Sequence, residues 1–304
     1  MTARLDRDGS PARALRDILH EQVRDAFDAL AGQRISDHAV HEARQGIKKA
    51  RATLRLLRDA ISDEEYRREN AVLRDAAQPL SGRRDATVLI DTLRRMVKAG
   101  GGGRIRNSTR AFGLALKQER QQATRASRAR AGGIVSARNA LRLQRTRVSR
   151  LALTGGKWSI IEAALRRVYA NGRRCMREAR RQPIAENLHE WRKQVKYLRY
   201  ELRLLEPAWP GVIGELVDQA HHLSDYLGDD HDLAVLRRKV KDYAKELTET
   251  NGVEDVVPVI DRCRERLQTK ALVLGARVYE ERPRRFVARI GRYWHEWRQD
   301  SAVR

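Results

Sequence analysis

The residues best placed to do chemistry in this chain are cations. His41, Arg44, Lys48, Arg51, Arg55 and Arg58 recur at three- and four-residue spacing, which lines them along one face of a helix. A second series, His189, Arg192, Lys196, Arg199 and Arg203, repeats the register. Like charges at these spacings destabilise an isolated helix by roughly a few tenths of a kcal/mol per pair. A bound anion would offset that cost. Arg can grip two phosphate oxygens with its fork, and Lys acts as a movable point charge. A nearby phosphate would raise the pKa of His41 or His189 and favour the charged imidazolium. From His41 to Arg55 the stripe spans about 21 Å at helical rise, a track for a linear polyanion rather than a pocket for one phosphate.

Other constellations compete for attention. Asp85 and Asp232 occupy matching places at the expected starts of two helices, where a carboxylate serves the helix N-terminus or orients a stripe cation. His221, His222, Asp225, Asp229, Asp230, His231 and Asp232 crowd what reads as one turn region, a composition that metal sites use. Their counterparts in the first half are Gln78, Ser81, Gly82, Arg83, Arg84 and Asp85, without a histidine, so a solvated loop is the simpler expectation. His231-Asp232 is also similar to the motif of helical metal-dependent phosphohydrolases, for which His189 or His222 and Asp255 or Asp261 would supply the outer ligands. Trp191, Tyr197 and Tyr200 could stack bases, but Trp191 falls on an apolar seam. No zinc finger, RNA-recognition signature or phosphate-cradling glycine loop is present; Gly100–Gly103 follows a helix and lacks the Gly-Lys-Ser/Thr ending.

The elements that must position the stripes are helices. Ala, Leu, Arg and Glu dominate, 3/4-spaced apolar patterns run through the chain, and alternating strand-like runs are absent. Beside the first stripe lies the seam Val40, Ala43, Ile47, Ala50, Leu54, Leu57. Beside the second lies Leu188, Trp191, Val195, Leu198, Leu202, Leu205. Both seams must face a core. Pro, Gly and capping residues place helices near 11–30, 37–60, 63–80, 85–100, 104–131 and 134–152, with a break at Gly132-Gly133. A second six follow near 157–181, 186–206, 211–227, 230–249, 253–274 and 283–299.

The two sets resemble each other in letters. Residues 41–57 and 189–205 are identical at 9 of 17 positions at an offset of 148. Leu80-Ser-Gly-Arg-Arg-Asp85 lies over Leu227-Gly-Asp-Asp-His-Asp232 at an offset of 147. Two matched segments in one order indicate an internal duplication. The expected architecture is all-α: two helical bundles of about six helices each, over 10–152 and 157–300, related by a pseudo-two-fold axis around a basic central groove or pore.

Charge narrows the partners. The 304 residues hold 63 Lys and Arg against 40 Asp and Glu, a net charge of +23. Such a surface attracts polyanions, and there are too few acids to neutralise the stripes. Residues 104–150 hold 13 cations and one acid, Glu119, but the apolar residues threaded through them favour two basic helices over a disordered arm. No apolar run approaches a membrane span, the charged N-terminus is not a signal peptide, and Cys175 and Cys263 read as reduced thiols. A soluble cytoplasmic protein is expected.

The two motifs resemble the CHAD family, the conserved histidine α-helical domain, over about residues 10–300. In that family each half carries a His-x-x-Arg-x-x-x-Lys/Arg-x-x-Arg string, followed by Leu-Gly-x-x-x-Asp. Here the first half supplies His41, Arg44, Lys48, Arg51, Leu80 and Asp85 and the second His189, Arg192, Lys196, Arg199, Leu227, Gly228 and Asp232, and Lys196-Tyr-Leu-Arg-Tyr200 is particularly family-like. The resemblance implies a single domain over 1–304 that binds inorganic polyphosphate without catalysis, metal or cofactor, and that could target the protein to polyphosphate granules. Nucleic acid is the second candidate partner. The chain lacks the strand-rich triphosphate tunnel domain fused to many members. In the first half the candidate binding residues are His41, Arg44, Lys48, Lys49, Arg51, Arg55 and Arg84. In the second they are His189, Arg192, Lys193, Lys196, Arg199, Tyr200 and Arg203. Two departures stand out: Ser81 replaces the family's first glycine, and Gln45 stands where the second half has Lys193.

Overall fold

The computed structural model describes Leu5 and residues 9–32, 35–80, 82–100, 103–129, 131–155, 157–246 and 255–299; at 82–86, 99–100, 103–108, 123–129, 131 and 246 it describes the backbone alone. Within these residues the chain is all-α. The helices are α1 (Pro11–Asp28), α2 (Asp37–Leu56), α3 (Asp63–Ala77), α4 (Gly82–Gly100), α5 (Gly103–Ala129) and α6 (Ala131–Ser149). They continue as α7 (Trp158–Arg181), α8 (Ala185–Leu205), α9 (Pro210–Glu246), α10 (Val256–Val278) and α11 (Pro283–Gln299). Short 3-10 turns follow α2 at Arg58–Ala60 and α8 at Glu206–Ala208.

Local chemistry sets the boundaries. Ser36 caps α2 by accepting from the Ala39 backbone N–H at 3.1 Å. Ser62 and Glu65 form a reciprocal capping box at the start of α3, which satisfies backbone donors that the first turn leaves orphaned. Pro11, Pro210 and Pro283 each occupy the first position of a helix, where the missing N–H costs nothing.

The apolar seams go where their spacing demands. Ala43, Ile47, Ala50, Leu54 and Leu57 of the first seam are buried, and so is the whole of the second, with Trp191 fully enclosed. They join a large core shared by α1, α2, α3, α6, α7, α8, α11, the first half of α9 and the second half of α10. A smaller core unites Leu89, Ile90 and Leu93 of α4 and Phe112 and Leu116 of α5 with Leu233, Leu236 and Val240 of α9 and Val256, Val259 and Ile260 of α10. Thus α9, 37 residues long and about 55 Å at helical rise, takes part in both cores.

That helix overturns the expected break between 227 and 230. Gly228 lies inside it and is buried. A Cβ at this position would come within 2.9 Å of Nη2 of Arg192, so the glycine admits the guanidinium of a neighbouring helix. The acids that read as a turn are met by cations: Asp229 by Arg95 at 2.7 Å and Asp230 by Arg264 at 3.0 Å. Asp232 consequently lies mid-helix rather than at a helix start, and the expected solvated loop is a helical segment. Asp85 stays in the first turn of α4; its side chain, like those of Arg83 and Arg84, lies outside the described residues. Gly132 and Gly133 fall in the opening of α6 instead of separating two helices, where a Cβ at Gly133 would approach Pro79 to 3.0 Å.

Candidate polyanion-binding site

Helices α2 and α8 pack against each other with their cationic faces beside their buried seams. Where α4 and α9 close over them, between the two cores, lies a cavity of about 600 Å³. Arg44, Gln45 and Lys48 enter it from α2, and Arg192, Lys196, Arg199 and Tyr200 from α8. Helix α9 adds His221, Ser224, Asp225, His231 and Asp232; Val88, Leu89 and Val235 are its apolar lining. Five permanent cations therefore face two carboxylates. Desolvation at such a junction lowers the effective dielectric and strengthens attraction for an anion.

Several contacts hold these cations in place. Arg44 donates from Nη1 to the Leu80 carbonyl at 2.9 Å, anchoring its guanidinium to the chain end that leads into α4. Arg192 lies over Gly228 as described. Arg199 packs 5.6 Å from the Tyr200 ring centre, and burial raises the Tyr200 phenol pKa. His189 and His231 bring their rings to 4.8 Å. Burial lowers the pKa of both, and nearby positive charge adds to it: His231, Lys193 and Arg192 around His189, and Arg192, Lys196 and Arg238 around His231. Glu190 and Asp230 act in the opposite direction. The Nδ1 atom of His189 is buried without a hydrogen-bond partner among the described residues.

The other stripe residues diverge. His41, Lys49 and Arg203 face a second concavity of about 570 Å³, walled by Glu21, Asp25 and Asp28 of α1 and Glu42 of α2. Gln45 and Tyr200 belong to the walls of both spaces. Arg203 is drawn to Glu206 at 3.0 Å, and His41 Nε2 sits 3.3 Å from the Gln45 amide nitrogen. Arg51 donates to Asn70 at 3.2 Å, Lys193 pairs with Glu190 at 2.8 Å, and Arg58 stands 3.8 Å from Asp63. Arg55 turns inward, 3.9 Å from the centre of the Tyr197 ring. Its charge acts on fully buried Glu201, whose pKa burial raises well above the ordinary 4.5. Arg84 lies outside the described side chains. The structure thus brings Arg44, Lys48, Arg192, Lys196, Arg199 and Tyr200 to one space and disperses the rest.

The competing constellations are resolved in the same way. Trp191 is a core residue, and one face of Tyr197 is covered by Arg55. Asp261 is held by Arg237 at 2.7 Å. Among the described residues no three His, Cys, Asp or Glu side chains converge in a group fit to hold a metal ion. The residue that sequence reasoning missed is His231, read as part of a solvated loop and left out of the candidate binding residues. It falls 147 residues after Arg84, so the duplication offset would have put it among the cations.

No helix among the described residues is long and apolar enough to cross a membrane. Among solved structures, the chain is similar to PptA from Streptomyces chartreusis, with a TM-score of 0.65 at 12% identity over 90% of this chain and 100% of that one. It is also similar to the CHAD domain from the plant Ricinus communis, with a TM-score of 0.62 at 15% identity over 92% of this chain and 95% of that one. These likenesses concern the fold. A search of curated proteins finds no match. The family model of the CHAD domain matches residues 17–241. That span holds both stripe helices, Gly228 and every residue lining the cationic cavity, and it places the chain in the CHAD family.

Proposed function

We propose that the protein binds inorganic polyphosphate in the cavity between α2, α4, α8 and α9, and that it acts as a binder rather than an enzyme. The observation that carries this reading is the convergence of Arg44, Lys48, Arg192, Lys196 and Arg199 on one space against two carboxylates. A slim polymer with a charge on every unit suits such a wall. It needs neither base stacking nor an apolar pocket, and Arg and Lys supply alternating forks and point charges to its oxygens. No side chain in the cavity stands out as an activated nucleophile, and His231 is held towards neutrality by burial and cations. Recruitment of the protein to polyphosphate granules follows from such binding. The 10–152 and 157–300 halves each contribute one stripe helix to the site, as expected of a single duplicated domain.

The test is a competition titration at about physiological ionic strength. Labelled long-chain polyphosphate is bound, then challenged with duplex DNA, RNA and short phosphates while free phosphate is monitored. Polyphosphate should resist displacement by duplex DNA at large excess, with no phosphate released. Displacement by DNA on equal terms would show the net charge acting generically. Release of phosphate would identify an enzyme.

A further inference from the structure

A uniformly basic concavity lies away from the cavity just assigned. Along α7 and the start of α11 runs an open groove of about 790 Å³. Arg166, Arg167 and Arg173 rim it from α7, and Arg282, Arg284 and Arg285 from the segment that opens α11. Ala163, Ala170 and Pro283 complete the lining, with no carboxylate. Glu162, Glu280 and Glu281, the acids nearest in sequence, do not line it, and Glu281 is paired with Arg289. The central cavity sets five cations against two carboxylates; here the lining holds six arginines and no acid, and Asp59 reaches one of the six, Arg167, from outside it.

The six divide by role. Arg167 is paired with Asp59 at 2.6 Å, and Arg173 donates to the Tyr279 carbonyl at 3.1 Å; both hold α7 to its neighbours. Arg166, Arg282, Arg284 and Arg285 are exposed and make no ion pair with a described residue. The first turn of α11, which has no acidic residue, opens beside them and adds the positive end of its dipole. Four like charges held at one groove repel each other, and an anion relieves that repulsion.

We propose that this groove binds a single nucleic-acid strand, independently of the polyphosphate cavity. Bare polyphosphate offers only charged oxygens and would leave the small apolar floor of Ala163, Ala170 and Pro283 uncovered. A duplex keeps its base faces stacked inside. A single strand carries phosphates for the arginine rim and has ribose and base faces free to lie on the floor and against guanidinium planes. The groove is also wider open to solvent than the central cavity, which suits a bulkier polymer.

The test uses the full chain, a labelled single-stranded RNA of about 20 nucleotides and labelled polyphosphate. The variant R166Q/R284Q/R285Q keeps the aliphatic stems and spares Arg167 and Arg173. It should bind the strand at least about tenfold more weakly, and its plot of log affinity against log salt should flatten by about 2, from three lost phosphate contacts at roughly 0.7 each. Polyphosphate affinity should stay within about twofold. A second variant, Ala163→Glu, leaves every arginine in place and should also weaken strand binding. Unchanged strand affinity in both variants, or strand binding lost instead on K48Q/K196Q/R199Q, would overturn the proposal. So would loss of polyphosphate rather than RNA from the arginine variant, or duplex bound as tightly as the strand.

Discussion

The two concavities flanking Gln45 and Tyr200 draw on the same two helices yet have opposite chemistry. In the first, Arg44, Lys48, Arg192, Lys196 and Arg199 face α4, which contributes Val88 and Leu89, and α9, which contributes Asp225 and Asp232. In the second, His41, Lys49 and Arg203 share the wall with Glu21, Asp25 and Asp28 of α1 and Glu42 of α2, so four acids stand among the three bases. Both sets come from faces that look alike on a helical wheel. The difference is which neighbour covers the face. A cationic stripe is thus a necessary part of an anion site, and the helix packed opposite decides whether it stays cationic.

The largest effect that would break this comparison comes from the cavity side. K48Q/K196Q/R199Q should lose polyphosphate affinity at least about a hundredfold, since three charge-assisted contacts are removed. K49Q/R203Q should lose no more than about threefold, since Arg203 is paired with Glu206 and Lys49 lies in an acid-lined space. Circular dichroism should show equal helicity for both. Comparable losses in the two variants would mean that the whole stripe acts as one track.

Next, the acidic wall can be removed. E21Q/D25N/D28N should let the second concavity accept phosphate as well. Polyphosphate affinity would rise roughly tenfold at low salt, with a steeper dependence on ionic strength. An unchanged titration would show that α1 is not what silences that face.

Proton linkage separates the two spaces more finely. In the free protein His189 and His231 have pKa values lowered from 6.5 by burial and neighbouring cations. A phosphate polymer in the cavity adds negative charge and raises them, so the bound state holds more protons than the free state. Affinity should therefore increase as pH falls through and below about 6.5, by up to about tenfold per pH unit per histidine. Binding calorimetry in two buffers of different ionisation enthalpy would register the proton uptake. In H189N/H231N the uptake and the pH slope should both disappear, whereas H41N should keep them.

The smallest effect sharpens the reading of Gly228. In a turn, G228A would destabilise the fold. Inside α9 an alanine is the better helix former by about 1 kcal/mol, and the atoms nearest its methyl group belong to the Arg192 guanidinium, the end of a flexible side chain that can shift. G228A should then melt no lower than the parent protein and bind polyphosphate about two- to fivefold more weakly, through the displaced guanidinium. Thermal melting with one binding curve checks both halves of the expectation.

Much of the architecture is written in local pattern. Seams at 3/4 spacing placed α2 and α8 and named their buried residues down to Trp191, because a helix with an apolar stripe has one way to hide it. Ser36, Ser62, Pro11 and Pro283 marked helix starts through backbone groups that every helix must satisfy. Those same local rules failed at Leu227–Asp232. There a glycine and four polar residues imitate a turn, but Arg95, Arg192 and Arg264, distant in sequence, make the straight helix the better satisfied state.

The stripes themselves, their register and the excess of cations over acids were determined by the sequence alone, since charge and periodicity are properties of the chain. Which cations converge was decided only by tertiary packing. The placement of α1 against Lys49 and Arg203, of Asn70 against Arg51, of Tyr197 under Arg55, and of His231 beside His189 depends on how helices far apart in the chain cross. Coulomb attraction falls off within a few ångströms of wall and solvent, so a cation's role follows from what stands opposite it, and that is fixed by the fold rather than by its neighbours in sequence.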